Sequence, residues 1–286
     1  MFRQTYKTTI RNLFRSGLFW FMVIILGGIA VYGGMQGFQI HYEFDSVTGT
    51  LKMIKDDSPL FVLGYETYIK KITSAVCTNV MSYAMPLITV LSTVLVLNRD
   101  YGDNFYEIEK CAGMKASSYL FGRIAALITV NFSLATIASF VSFHVYIISR
   151  GGLSTMGTLY YITDSSIRLM RLIVLIAFPT ILFYIGVTYL LGCIFHSGLY
   201  SSIISICYVV FIALPNLILG GIIPQAYYDY LAPIPQKLEH YLYWYDTYGF
   251  NTNLSLKDAT LAFLFMPSVF LLTLIVSYIL IRKRDK

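Results

Sequence analysis

Six stretches of this chain run without Asp, Glu, Lys or Arg for long enough to cross about 30 Å of hydrocarbon. Their apolar centres cover 18–36, 72–97, 124–148, 172–194, 200–223 and 259–281. A backbone at that depth has no water to bond with and must satisfy its own N–H and C=O groups, so each run is expected as a helix. The ten-residue alternation of an outer-membrane barrel is missing. The expected fold class is therefore an all-α membrane protein, one transmembrane domain over 1–286 with six transmembrane helices. Composition agrees: 57% of residues are hydrophobic and 13% charged, against about a quarter charged in soluble domains.

The net charge of +6 sits where topology places it. With both ends inside, twelve basic residues fall on the cytoplasmic segments and nine on the longer outer ones, so the denser side is the inner one. Nucleic acid is not an expected partner; membrane lipid is. The apolar stretch after Arg15 lacks a clear small-residue cleavage site and reads as a retained anchor. Cys77, Cys111, Cys193 and Cys207 have no paired spacing, so no disulfide framework or metal site is expected.

Between the runs lie segments of distinct character. Arg3, Lys7, Arg11 and Arg15 are spaced four apart, with Phe2, Tyr6, Ile10 and Leu13 on another arc. This predicts a basic amphipathic helix over 1–16 lying along the inner membrane surface. The third outer segment, 224–258, is rich in Tyr and Pro and is expected at the outer interface, re-entrant or flat. Residues 195–198 form a tight link between the fourth and fifth runs. Pro86, Pro179 and Pro215 are candidate kinks.

Residues 98–119 are too long for a plain hairpin connection and mix charges with aromatics. Asp103 is a candidate cap, Glu107 stands near a helix start, and Gly113 is a candidate break. Such a helix on the cytoplasmic face is a docking surface.

No phosphate-cradling G-x-x-x-x-G-K-[ST] run and no H-E-x-x-H are present in the sequence. The runs carry almost no ionisable side chain, His144 excepted, which disfavours a proton- or ion-coupled carrier. Polar candidates for a pathway are Asn79, Ser82, Tyr83, Ser92 and Thr93 in the second run, and Ser205, Tyr208 and Asn216 in the fifth. The competing reading of these is helix–helix packing.

The order of features, with Asp100, Gly102 and Glu107 followed by Gly113-Met114-Lys115, Tyr119, Gly122 and Arg123, resembles the ABC-2 type permease family of ABC transporters. The Pro common near that turn in the family is replaced by Gly113 and Met114. The resemblance implies a coupling helix that docks on an ATP-binding subunit, through Tyr101, Gly102, Asp103, Phe105, Glu107, Gly113, Met114 and Tyr119, with His196 in a smaller second contact. It further implies two ATP-binding subunits carrying ATP and magnesium, with no cofactor in this chain. A second permease copy completes the pathway, as homodimer or related heterodimer. The setting is a bacterial plasma membrane, and the cargo a hydrophobic or amphipathic peptide or drug. The chain by itself is then no enzyme. Two other classes remain open on sequence: a membrane-embedded enzyme, and a non-transporting scaffold or sensor.

Overall fold

The computed structural model describes residues 1–35, 40–45, 50–55, 80, 84–103, 105–149, 170, 173–213 and 256–284. The chain is helical there apart from one short hairpin. Helix α1 covers Phe2–Arg15 and α2 covers Gly17–Met35. Strands β1 (Ile40–Asp45) and β2 (Thr50–Lys55) pair antiparallel, Ile40 opposite Lys55 and Asp45 opposite Thr50. Then follow α3 (Met85–Gly102), the short α4 (Phe105–Cys111) and the long α5 (Ala116–Ser149). A π-helical turn (Ile173–Ala177) leads into α6 (Phe178–Phe195), followed by α7 (Gly198–Ala213) and α8 (Leu256–Arg284). The hairpin departs from the all-α expectation. Two six-residue strands among mixed charges leave little periodic signal in the sequence.

Among the described residues four helical segments are long and apolar enough to cross a membrane: Gly17–Met35, Ala116–Val145, Phe178–Phe195 and Met266–Lys283. The chain is thus membrane-embedded in character. The other two expected spans are only partly described. α3 holds the described part of 72–97, and α7 that of 200–223. Of the outer segment, residues 224–255 lie outside the described residues and 256–258 begin α8; Pro215 also lies outside them.

α6 is the central helix. Two thirds of its apolar window is buried, whereas the spans in α2 and α8 bury about a third or less. The outer helices present Phe21, Ile24, Leu271, Leu272 and Ile275 outward, which lipid tolerates and water does not. Small residues let the helices close. A Cβ on Gly186 would run into Phe270 of α8, and one on Gly192 would meet Leu97 of α3 at 2.6 Å. A Cβ on Gly34 would meet the Ser142 carbonyl of α5 at 2.6 Å.

The prolines act as helix starters instead of kinks. Pro86 and Pro179 sit in the first turn of α3 and α6, where no intrahelical N–H is required. Pro179 follows the π-helical turn Ile173–Ala177, and Val80 and Ala84 before Pro86 are also π-helical. The wider turn relieves the clash of each ring with the preceding carbonyls. Pro267, not singled out in the sequence, lies inside α8.

α1 is anchored on its own terms. Thr5, Thr9 and Leu13 are buried on the side facing α3 and α5, while Arg3, Lys7, Arg11 and Arg15 are all exposed. The buried stripe is one of hydroxyls closed by Leu13; Phe2 of the expected apolar arc is half exposed. α1 ends at Ser16, whose backbone is extended (φ −79°, ψ 122°). There the Trp20 indole N–H donates to the Phe14 carbonyl at 2.8 Å and fixes the corner into α2.

α1 crosses α5 at Gly122, where a Cβ would stand 2.8 Å from Thr5 Cβ and 3.2 Å from the Phe2 carbonyl oxygen. Gly122→Val is expected to cost about 1–3 kcal/mol by overpacking and to lift α1. Faster tryptic cleavage after Lys7 and Arg11 would register it; an unchanged digestion rate would refute the crossing.

Candidate functional site

The connection from α3 to α5 folds back on α1 around one buried cation. Arg123, in the second turn of α5, is 1% exposed. Its Nη2 donates to Asp100 Oδ1 of α3 at 2.7 Å and reaches Glu109 Oε2 of α4 at 3.4 Å. Its Nη1 donates to Thr9 Oγ1 of α1 at 2.8 Å. The guanidinium also lies 5.5 Å from the Phe105 ring centre and 5.3 Å from that of Tyr119. One side chain therefore joins four helices. A buried pair is weak evidence for stability, because desolvation offsets the Coulomb gain, but it fixes one geometry strongly.

Local sequence explains how α4 serves this cluster. Tyr106 and Glu109, three apart, are buried, while Ile108 between them is 59% exposed. The helix ends in a Schellman motif: the Gly113 N–H bonds the Lys110 carbonyl at 2.9 Å and the Met114 N–H bonds the Glu109 carbonyl at 3.2 Å. Gly113 sits at φ +79°, which is why a glycine stands there. Met114 at the next position receives the Thr5 hydroxyl on its sulfur at 3.1 Å, another tie to α1.

The expected docking residues divide. Tyr119 is 2% exposed and packs edge-on against Tyr106 at 4.9 Å, so its side chain supports the turn from within and reaches no partner surface. Phe105 is half-buried between Arg99, 4.9 Å from its ring centre, and Arg123. Glu107 is half-buried, while Gly102, Asp103 and Gly113 are exposed. Tyr101 reaches sideways: its hydroxyl donates to Cys193 Sγ at 3.6 Å and its ring meets His196 at 6.0 Å. The two segments read separately as major and minor contacts are thus brought together. His196 ends α6 in the left-handed region, φ 51°, and is exposed. A Cβ on the neighbouring Gly198 would strike Asn98, so α3 presses directly on this corner.

The pathway candidates turn inward. Ser92 and Thr93 are fully buried. Asn131 Nδ2 of α5 donates to Ser92 Oγ at 2.9 Å, and the Thr93 hydroxyl donates to the Thr89 carbonyl of its own helix at 2.7 Å. Ser205 is 3% exposed. Of these, Ser92 ties α3 to α5 through Asn131, as the packing alternative of the sequence reading expects. Asn79, Ser82, Tyr83 and Asn216 lie outside the described residues, and so does the Tyr208 side chain.

Sequence reading missed the cluster as a unit. Asp100 was noted only for its place in the loop pattern, and Arg123 also as a topology charge. The available signal was the Thr5–Thr9–Leu13 stripe opposite the basic one, a polar face that needs a buried partner.

Burial pushes the Asp100 carboxyl up to about 6, more than Arg123 pulls it down. Burial also raises Glu109. A raised acid favours the protonated folded state: its contribution is full below the unfolded value of 3.8 and is lost as pH rises through about 6. The thermal midpoint is therefore expected to be higher at pH 5.5 than at pH 7.5, with the difference reduced in Asp100→Asn. A midpoint that falls on acidification would contradict this balance.

Among the described residues no group of His, Cys, Asp or Glu is arranged to hold a metal ion. What the arrangement does is mechanical: it couples the position of α4 to α1, α3 and α5. No protein-family model matches this chain, and no curated protein matches it.

Proposed function

We propose that the chain is the permease subunit of an ATP-driven exporter of the ABC-2 type. The observation that supports this reading best is the setting of α4. This short helix turns Ile108 outward, stands on a buried ion cluster, and lies on a connection whose Tyr101 meets the His196 corner. A push on that surface passes through Arg123 into α5 and α1 together.

In this reading six helices form half of a pathway, with both termini in the cytoplasm of a bacterial plasma membrane. A second copy or a related permease supplies the other half. Two ATP-binding subunits carry ATP and magnesium and close against the α3–α5 connections. The cargo is hydrophobic or amphipathic, a peptide or drug, in keeping with spans whose described buried polar groups, outside the Arg123 cluster, are hydroxyls and amides.

The test is co-purification. Full-length chain, solubilised in mild detergent from its native membrane, is expected to bring down a P-loop ATPase in equimolar amount. Its absence under conditions that keep the permease monodisperse would overturn the reading.

A further inference from the structure

A cavity of about 120 Å³, part polar and part aliphatic, lies between α1, α3 and α5, beside the ion cluster. Its polar lining is Thr9, Asn12, Ser16, Arg99, Asp100 and Arg123, and the rest is aliphatic. Ser16 is the last residue before the apolar span Gly17–Met35, so the cavity stands at the level where that span begins.

Its walls hold unmet polar groups of both signs. Asn12 Nδ2 and Arg123 Nε are buried donors without an acceptor, and Asp100 Oδ2 is a buried acceptor without a donor. Asp100 and Arg123 are each 1% exposed. Tyr119 Oη is likewise buried without a hydrogen-bond partner. Arg99 faces the Phe105 ring and makes no ion pair among the described residues. Leaving such groups unsatisfied costs about 1–3 kcal/mol each, so an occupant with both donors and acceptors is favoured.

Charge narrows the occupant. The two arginines are matched by two carboxylates, Asp100 and Glu109. A simple anion would unbalance them, whereas a zwitterion would not. We infer that this cavity holds the head group of a membrane phospholipid bearing a primary ammonium, its phosphate toward Arg99, Asn12 and Ser16 and its ammonium at Asp100. The volume, about four water molecules at liquid density, suits a phosphate with a short amine. The aliphatic remainder of the lining leads toward the glycerol and acyl chains. A choline head would leave Asp100 unmet, because it has no N–H. The site stands whether or not an ATPase docks on α4.

Native mass spectrometry of the delipidated full chain decides it. The chain is titrated in turn with phosphatidylethanolamine, phosphatidylcholine, phosphatidylglycerol and soluble O-phosphoethanolamine. One phosphatidylethanolamine per chain is expected, retained about tenfold better than phosphatidylcholine, the worth of one charge-assisted hydrogen bond. Asp100→Asn should remove that preference, whereas Arg99→Gln and Asn12→Leu, which take contacts from the phosphate both lipids share, should each weaken retention of both lipids while the lipid-free melting point holds. Should Arg99→Gln not fold, Asn12→Leu carries the test alone. Equal retention of the choline lipid, or preference for phosphatidylglycerol, would overturn the ammonium assignment. Equal binding of soluble phosphoethanolamine would overturn the lipid source. Retention of both lipids left unchanged by both of these substitutions would overturn the site, leaving the cavity to water.

Discussion

Arg123→Leu is expected to be the most damaging single substitution in the described part of the chain. It leaves Asp100 and Glu109 buried together without their cation, and breaking a buried pair from one side costs about 3–5 kcal/mol. It also removes the bond to Thr9 that holds α1. The expected phenotype is specific. The spans still insert, but α1 lifts and trypsin cuts readily after Lys7, Arg11 and Arg15. Arg123→Lys should recover little, since an ammonium cannot bond three partners in the fork geometry of a guanidinium. Adding Asp100→Asn and Glu109→Gln to Arg123→Leu should restore most of the protection, because the uncompensated charge is then gone. If the triple variant is cleaved as fast as the single one, packing volume and not charge is what Arg123 supplies.

The second large effect concerns α4 as a surface. Ile108→Asp changes an exposed side chain, so the fold should be unaffected, with a stability change within about 0.5 kcal/mol. If α4 docks on an ATPase, a charge in the centre of that contact should lower permease-stimulated ATP hydrolysis by at least about tenfold, a loss of the size seen when a central apolar anchor is lost. Glu107→Gln, on a half-buried side chain of the same helix, is expected to do less. Normal stimulation with Ile108→Asp would remove α4 from the interface even if an ATPase co-purifies.

The contrast between these two substitutions shows what sequence could and could not convey. α2, α5, α6 and α8 were legible, because long charge-free runs have few alternatives in any solvent. The basic line on α1 was legible from its spacing of four. The role of Ile108 was not, since one apolar residue in a seven-residue helix carries no periodic signal. Nor was the partnership of Asp100, Glu109, Arg123 and Thr9. It joins four elements, and no local pattern states which of many charges will be brought inside. The family resemblance puts Tyr119 in the docking contact. Here the ring fills space next to a guanidinium. Ser92 and Thr93 show why sequence cannot choose between a pathway lining and a helix contact: a hydroxyl suits either task.

α5 has 34 residues, about 50 Å of unbroken helix, and both N-terminal helices lie along it. α1 crosses it at Gly122 and α2 meets it near Ser142 and Val145. During synthesis the first 35 residues leave the ribosome well before α5 does. α2 must therefore wait in the bilayer with Gly34 exposed, and α1 with Thr5 and Thr9 uncovered. The order of birth is thus the reverse of the order of support. A nascent chain arrested before residue 116 holds two helices whose docking rail does not yet exist, and its first secure attachment forms only when the third long apolar segment enters the membrane.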